Sequence, residues 1–211
     1  MAEYESHIAK EIEENSAVVA ALAKSCSAQI LEAANIFLAC LRAGGKLLVF
    51  GNGGSAAEAE HFVTELVGRY RVDRRPLAAI ALTTDSTSIT AIANDYGFEQ
   101  IFSRQLQALA KPGDVVLAIS TSGNSPNVLR ATESARSLGL VTVGLTGLTA
   151  GKLRDLIQVG ICVPSDSTPR IQEAHALVVH ILCGILENEH VLRPHPELGK
   201  PQGNLAVREA R

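Results

Sequence analysis

At 211 residues, 46% apolar and only 4% aromatic, the chain is long enough for one aliphatic core and too apolar to be a disordered polypeptide. Its formal net charge of −3, with acids and bases interspersed, excludes a partner held by a net basic field, so no nucleic acid is expected. The start MAEYESHIAKEIEENS is polar and no apolar run suffices to span a bilayer, so a cytoplasmic protein with no membrane partner is expected.

In chain order, the first 43 residues read as helical, rich in Ala, Leu and Glu, with Gly44-Gly45 as a stop. Short β-branched runs then alternate with helical patterns. KLLVF (Lys46–Phe50) leads through a glycine turn into a helix ending near Val67. LAAIAL (Leu77–Leu82) precedes a long helical stretch, and VVLAIS (Val115–Ser120) precedes another. VTVGLTG and QVGICVP complete five strands, and RIQEAHALVVHILCGILENE (Arg170–Glu189) reads as the last helix. The strands are apolar at nearly every position, which suits a parallel sheet covered on both faces. An α/β doubly wound fold follows, five-stranded and preceded by N-terminal helices, with ligands expected outside the carboxyl ends of the strands. Residues 1–192 are expected to form a single domain that includes the helices of residues 1–43, and 193–211 a flexible tail. The four cysteines, Cys26, Cys40, Cys162 and Cys183, form no CxxC pair and read as inert thiols.

Two loops carry chemistry. In STSGNSPNVL, Ser120, Thr121, Ser122 and Ser125 put four hydroxyls around a glycine turn, and Ser125-Pro126 fits a helix start. The unpaired N–H groups and positive dipole end there suit a phosphate monoester. The loop Gly51-Asn52-Gly53-Gly54-Ser55 lacks the GxGxxG spacing, and no acidic residue ends the next strand, which argues against a dinucleotide and for a small substrate lying on a tight turn.

His61 and Glu65 lie four residues apart, hence on one helix face, as zinc ligands or as a surface pair. The last helix adds Gln172, His175 and His180. Gln172 and His180 are separated by about 12 Å of helical rise, near the limit of reaching one ion together, so either Gln172 leans along an irregular first turn or an oligomer interface contributes. His175 reads as a core or surface histidine.

GNGGSAAEAEHFVTELVGRY, ALTTDSTSITAIANDYGFE, FSRQLQALAKPGDVVLAISTSGNSPNVL and RIQEAHALVVHIL together resemble the sugar isomerase (SIS) family, and within it the phosphoheptose isomerases, over roughly residues 5 to 190. The resemblance implies a flavodoxin-like SIS domain that converts sedoheptulose 7-phosphate to D-glycero-D-manno-heptose 7-phosphate through an enediol(ate), the first step toward ADP- or GDP-heptose. It implies one zinc per subunit on His61, Glu65, Gln172 and His180, with Glu65 and His180 as the acid/base pair. It implies a substrate site of Asn52, Gly53, Gly54, Glu65, Asn94, Asp95, Ser120, Thr121, Ser122, Ser125 and Gln172, and a homotetramer with active sites between subunits. Non-catalytic relatives that bind the bacterial replication initiator are the alternative; they depart at the positions of Glu65 and His180, which are both present here. Asp85 and Arg69 lie near these motifs without an assigned role.

Overall fold

The computed structural model describes residues 1–192, without the side chains of residues 2 and 190–192; the tail expected at 193–211 lies outside the described residues. All five expected strands form: β1 (Leu47–Phe50), β2 (Ala79–Ala81), β3 (Val115–Ser120), β4 (Val141–Thr146) and β5 (Val159–Cys162). They make one parallel sheet in the order β2-β1-β3-β4-β5, with Leu47 opposite Val115 and Val49 opposite Leu117.

Every residue of β1 and β3 is buried, because helices cover both sheet faces. Successive side chains point to opposite faces. Leu47, Val49 and Leu117 join one core with Phe37, Phe62 and Leu182. Leu48, Phe50 and Val116 join the other with Phe102, Val128 and Leu153. The first face carries α1 (Ala2–Ser25), α2 (Ser27–Arg42), α3 (Gly54–Val67) and α7 (Thr168–Leu192); the second carries α4 (Ser86–Tyr96), α5 (Ile101–Leu109) and α6 (Pro126–Ser137). The chain leaves β1 toward β2 and later returns to β3 on β1's other side. The crevice between the carboxyl ends of β1 and β3 is therefore the topological switch point, where ligands bind in such folds.

Three differences from the expected elements have physical causes. The N-terminal helical run is two helices bent by 68°. The break falls at Cys26, whose backbone leaves helical geometry and whose buried thiol donates to the Cys162 carbonyl of β5 at 3.2 Å. The stretch after β2 divides into α4, a 3₁₀ turn at Phe98–Gln100 and α5, because Gly97 takes φ +90°, where a helix cannot continue. The last helix is longer than expected and starts at Thr168. Arg170, 6% exposed, ties it to α1 by donating to the Glu11 carbonyl and pairing with Glu11 and Glu173. Beyond that clasp Tyr4, Ile8 and Ile12 of α1 stay exposed. Among the described residues no single helix is long and apolar enough to cross a membrane.

His175 proves to be a core residue, 1% exposed, with Nε2 3.2 Å from the Thr146 carbonyl oxygen and Nδ1 buried without a partner. Burial pushes its pKa from the ordinary 6.5 down to about 4. The folded protein keeps the ring neutral where the unfolded chain already takes up a proton. Stability is thus full above pH 6.5 and is lost as pH falls toward 4, by up to about 3 kcal/mol from this group. Thermal melts from pH 7.5 to 4.5 should show a smaller decline for His175→Phe than for the parent; parallel curves would remove His175 from the account.

Candidate active site

The loop after β1 turns sharply because Gly51 has no room for a side chain: a Cβ there would lie 2.8 Å from the Ile119 carbonyl oxygen. α3 begins at Gly54, against which the Gln172 amide packs so closely that a Cβ would sit 2.3 Å from Nε2. Asn52 bridges to the second loop through a reciprocal pair of 2.8 Å amide hydrogen bonds with Asn127, 1% exposed on the first turn of α6. The two loops are thereby fixed relative to each other across the crevice.

In the second loop Ser125 occupies the N-cap of α6 with Pro126 behind it, as expected, but its hydroxyl does not cap the helix. Ser125 Oγ instead lies 3.2 Å from Ser120 Oγ, and Ser120 Oγ accepts from the Gly123 N–H at 3.2 Å. In the first turn of α6, Pro126 has no N–H and the Val128 N–H donates to Asn127 Oδ1 at 3.0 Å, so what favours an anion there is the positive dipole end of the helix together with the loop hydroxyls. Thr121 and Ser122 open onto a cavity of about 300 Å³ that Thr149, Ser165, Asp166 and Thr168 also line, beyond the ends of β4 and β5.

Further along α3, His61 and Glu65 meet His180 of α7. His61 Nε2 lies 3.3 Å from Glu65 Oε1 and 3.3 Å from His180 Nε2, and one ligand atom from each residue falls within a 4.8 Å spread. The imidazoles meet edge to face, with centroids 4.9 Å apart. Two ring nitrogens and a carboxylate oxygen turned to one half-buried point are a donor set for a divalent cation such as zinc. Glu58, one turn before His61, places Oε1 3.7 Å from His61 Nδ1. That oxygen is buried and has no hydrogen-bond partner; desolvation raises the carboxyl's pKa, opposed by His61. A carboxyl behind one imidazole adds negative charge beside the point where the three donor atoms meet, so the set fits a divalent cation.

α3 and α7 run side by side in the same direction, Gly54 beside Gln172 at one end and His61 beside His180 further on. The structure therefore gathers three of the four expected ligands, while the Gln172 amide rests at Gly54, between the loops and the trio. Asn94 and Asp95 are not brought to either group; they are exposed on the last turn of α4 and hydrogen-bond to each other at 2.8 Å. Asp85 caps α4 by accepting from the Ser88 N–H and hydroxyl, which lowers its pKa, and Arg69 is exposed after α3. Glu58 and Asn127 were missed from sequence. The i,i+3 spacing to His61 carried a signal for the first; only the fold pairs Asn127 with Asn52.

The SIS domain profile matches residues 12–147, more than half of the chain. A phosphoheptose isomerase of Trichlorobacter lovleyi is 49% identical over 183 residues, 87% of this chain and 93% of that protein. The solved phosphoheptose isomerase GmhA of Neisseria gonorrhoeae superposes with a TM-score of 0.83 at 40% identity, covering 88% of this chain and 99% of that one. The phosphoheptose isomerase of Francisella tularensis gives 0.85 at 40% identity, over 88% and 98%.

Proposed function

This chain belongs to the SIS domain family, on its phosphoheptose isomerase branch, and we propose on that premise that the His61–Glu65–His180 trio is where it isomerises its sugar phosphate. The reaction is the aldose–ketose interconversion of sedoheptulose 7-phosphate and D-glycero-D-manno-heptose 7-phosphate. One observation carries the assignment of the site: the cation-type trio lies along α3, the helix that starts at the glycine turn, and Asn52 of that turn is tied to the serine loop through Asn127. His61 follows Gly54 by seven residues, about 10 Å of rise.

The residues divide the work by position. Ser120, Thr121, Ser122 and Ser125 hold the phosphate at the positive dipole end of α6, so remote binding energy orients C1 and C2. Asn52, Gly53 and Gly54 let the sugar lie against the backbone. Glu65 removes the C1 proton as its carboxylate and returns it to C2; His180, through the ring nitrogen that the cation leaves free, gives a proton to the carbonyl oxygen O2 and takes the one that O1 gives up as the aldehyde forms. Zinc on His61, Glu65 and His180 would offset the negative charge that develops on those oxygens. Gln172 lines the sugar path from its place at Gly54, and would be the fourth ligand of the bound cation.

Residues 1–192 act as one SIS unit, and the working form is a homotetramer with sites between subunits. α4 supports this: it has no buried residue yet carries Asn94 and Asp95, which need a neighbouring copy to meet a cleft. The exposed Tyr4, Ile8 and Ile12 of α1 offer a matching apolar face.

The test is conversion of sedoheptulose 7-phosphate by protein as purified, after chelation to a zinc-free state, and after zinc is restored. Turnover should vanish on chelation and return with zinc. Unchanged turnover in zinc-free protein would remove the metal, and no conversion by zinc-loaded protein would remove the reaction.

A further inference from the structure

Glu187 is 3% exposed on α7, seven residues and about two turns beyond His180, on nearly the same helix face. A buried carboxylate needs donors, and this one takes them from the segment that follows α3. Its oxygens accept from the backbone N–H groups of Tyr70, Arg71 and Val72 at 3.0–3.3 Å, a run of consecutive amides that forms an anion cradle. Arg74 supplies the countercharge: its Nε lies 3.3 Å from Glu187 Oε1, with both side chains almost fully buried. The same guanidinium donates to the carbonyls of Glu65 at 2.7 Å and Leu66 at 2.8 Å, orphan acceptors of the last turn of α3.

What this arrangement holds is the trio. The Tyr70 ring stacks on His180 with centroids 5.6 Å apart and planes 25° from parallel, while His61 meets His180 edge-on. Gly184, one turn past His180, lies against the same ring: a Cβ there would make an ordinary contact with Tyr70 Cε1 at 3.6 Å. The His180 imidazole is thus held by one ring on its face and another at its edge, and the backbone of Glu65 is pinned by Arg74.

We infer that Tyr70, Glu187 and Arg74 are positioning residues for the isomerase centre: Glu187 and Arg74 clamp the segment after α3 onto α7, so that Tyr70 fixes the ring plane of His180 and the last turn of α3 fixes Glu65. The inference rests on the trio being the zinc site of the proposed function. A metal set pre-arranged in this way binds its ion more tightly, because supporting contacts outside the ligands typically change affinity by roughly 10–100-fold.

Zinc affinity, measured by competition with a chromogenic chelator, is the primary readout. Tyr70→Ala should bind zinc at least tenfold more weakly, and Tyr70→Phe, which keeps the stack, within about twofold of the parent. Glu187→Gln, which retains shape but loses the charge that gathers the three amides and Arg74, should follow Tyr70→Ala. In all weakened variants kcat at subsaturating zinc should fall while KM, set by the distant serine loop, stays within about twofold. Parental zinc affinity in Tyr70→Ala would overturn the inference. So would a Tyr70→Phe as weak as Tyr70→Ala, or a Glu187→Gln that melts earlier yet binds zinc like the parent. A parent that binds zinc but does not isomerise would sink the functional reading and leave this one standing; a parent that binds no zinc would sink both.

Discussion

Glu65→Gln should leave a folded protein whose turnover of sedoheptulose 7-phosphate falls by roughly 10²–10⁴-fold, the usual contribution of a positioned general base. Glutamine matches glutamate in shape, and the Glu65 side chain is half-buried on the face of α3 that meets His180. Its backbone carbonyl, the part that Arg74 binds, is unchanged by the substitution. The fold therefore has no reason to respond. The chemistry does: a carboxamide accepts no proton from C1 and brings no charge to the cation. Weaker zinc binding will accompany the loss, so rates are compared at saturating zinc. Glu60→Gln is the control, an exposed carboxylate on the same helix that should be neutral. Zinc-saturated Glu65→Gln within tenfold of the parent would take Glu65 out of proton transfer.

Gly123→Ala should raise KM at least tenfold and destabilise the protein, for reasons that can be separated. Gly123 has φ +64°, which costs an L-residue about 1–2 kcal/mol. Its Cβ would also stand 1.8 Å from the Ala150 carbonyl oxygen and 2.3 Å from its carbon, both backbone atoms with no flexible end to yield. The backbone between Ser120 and Ser125 must move, which breaks the Gly123 N–H bond to Ser120 Oγ and shifts the N-terminus of α6. Gly139→Ala isolates the conformational part. Gly139 has φ +73° with nothing within 4 Å of the place a Cβ would take, and it lies past α6, away from the loops. It should lose about 1–2 kcal/mol of stability with KM unchanged. Equal KM in the two variants would show that the serine loop does not hold the phosphate.

Much of this architecture is legible in the chain because it is local. Runs such as LLVF and VVLAIS are apolar throughout, which identifies strands covered on both faces, and their alternation with helical segments limits the topology. Ser125-Pro126 marks the start of α6, and the spacing of His61 and Glu65 places them on one face. The bend at Cys26 is not legible, since no proline or glycine stands there and its cause is a contact with β5. Nor is the position of Gln172, whose spacing from His180 predicts a difficulty and whose packing against Gly54 shows the form it takes. The Tyr70–His180 stack and the Asn52–Asn127 bridge join residues more than seventy positions apart, with no pattern in either partner.

By itself, then, the order of residues determined the five strands, the glycine and serine loops at one sheet edge, and a histidine and a carboxylate on one helical face. Periodicity and turn chemistry act over a few residues, and a chain displays them wherever it folds. Only the tertiary structure decided that His180 completes the trio, that Glu58 backs His61, and that Glu187 and Arg74 hold the surroundings in place. Those meetings depend on two parallel helices packing on one sheet face, and that registration is set by the buried side chains between them rather than by the residues that meet.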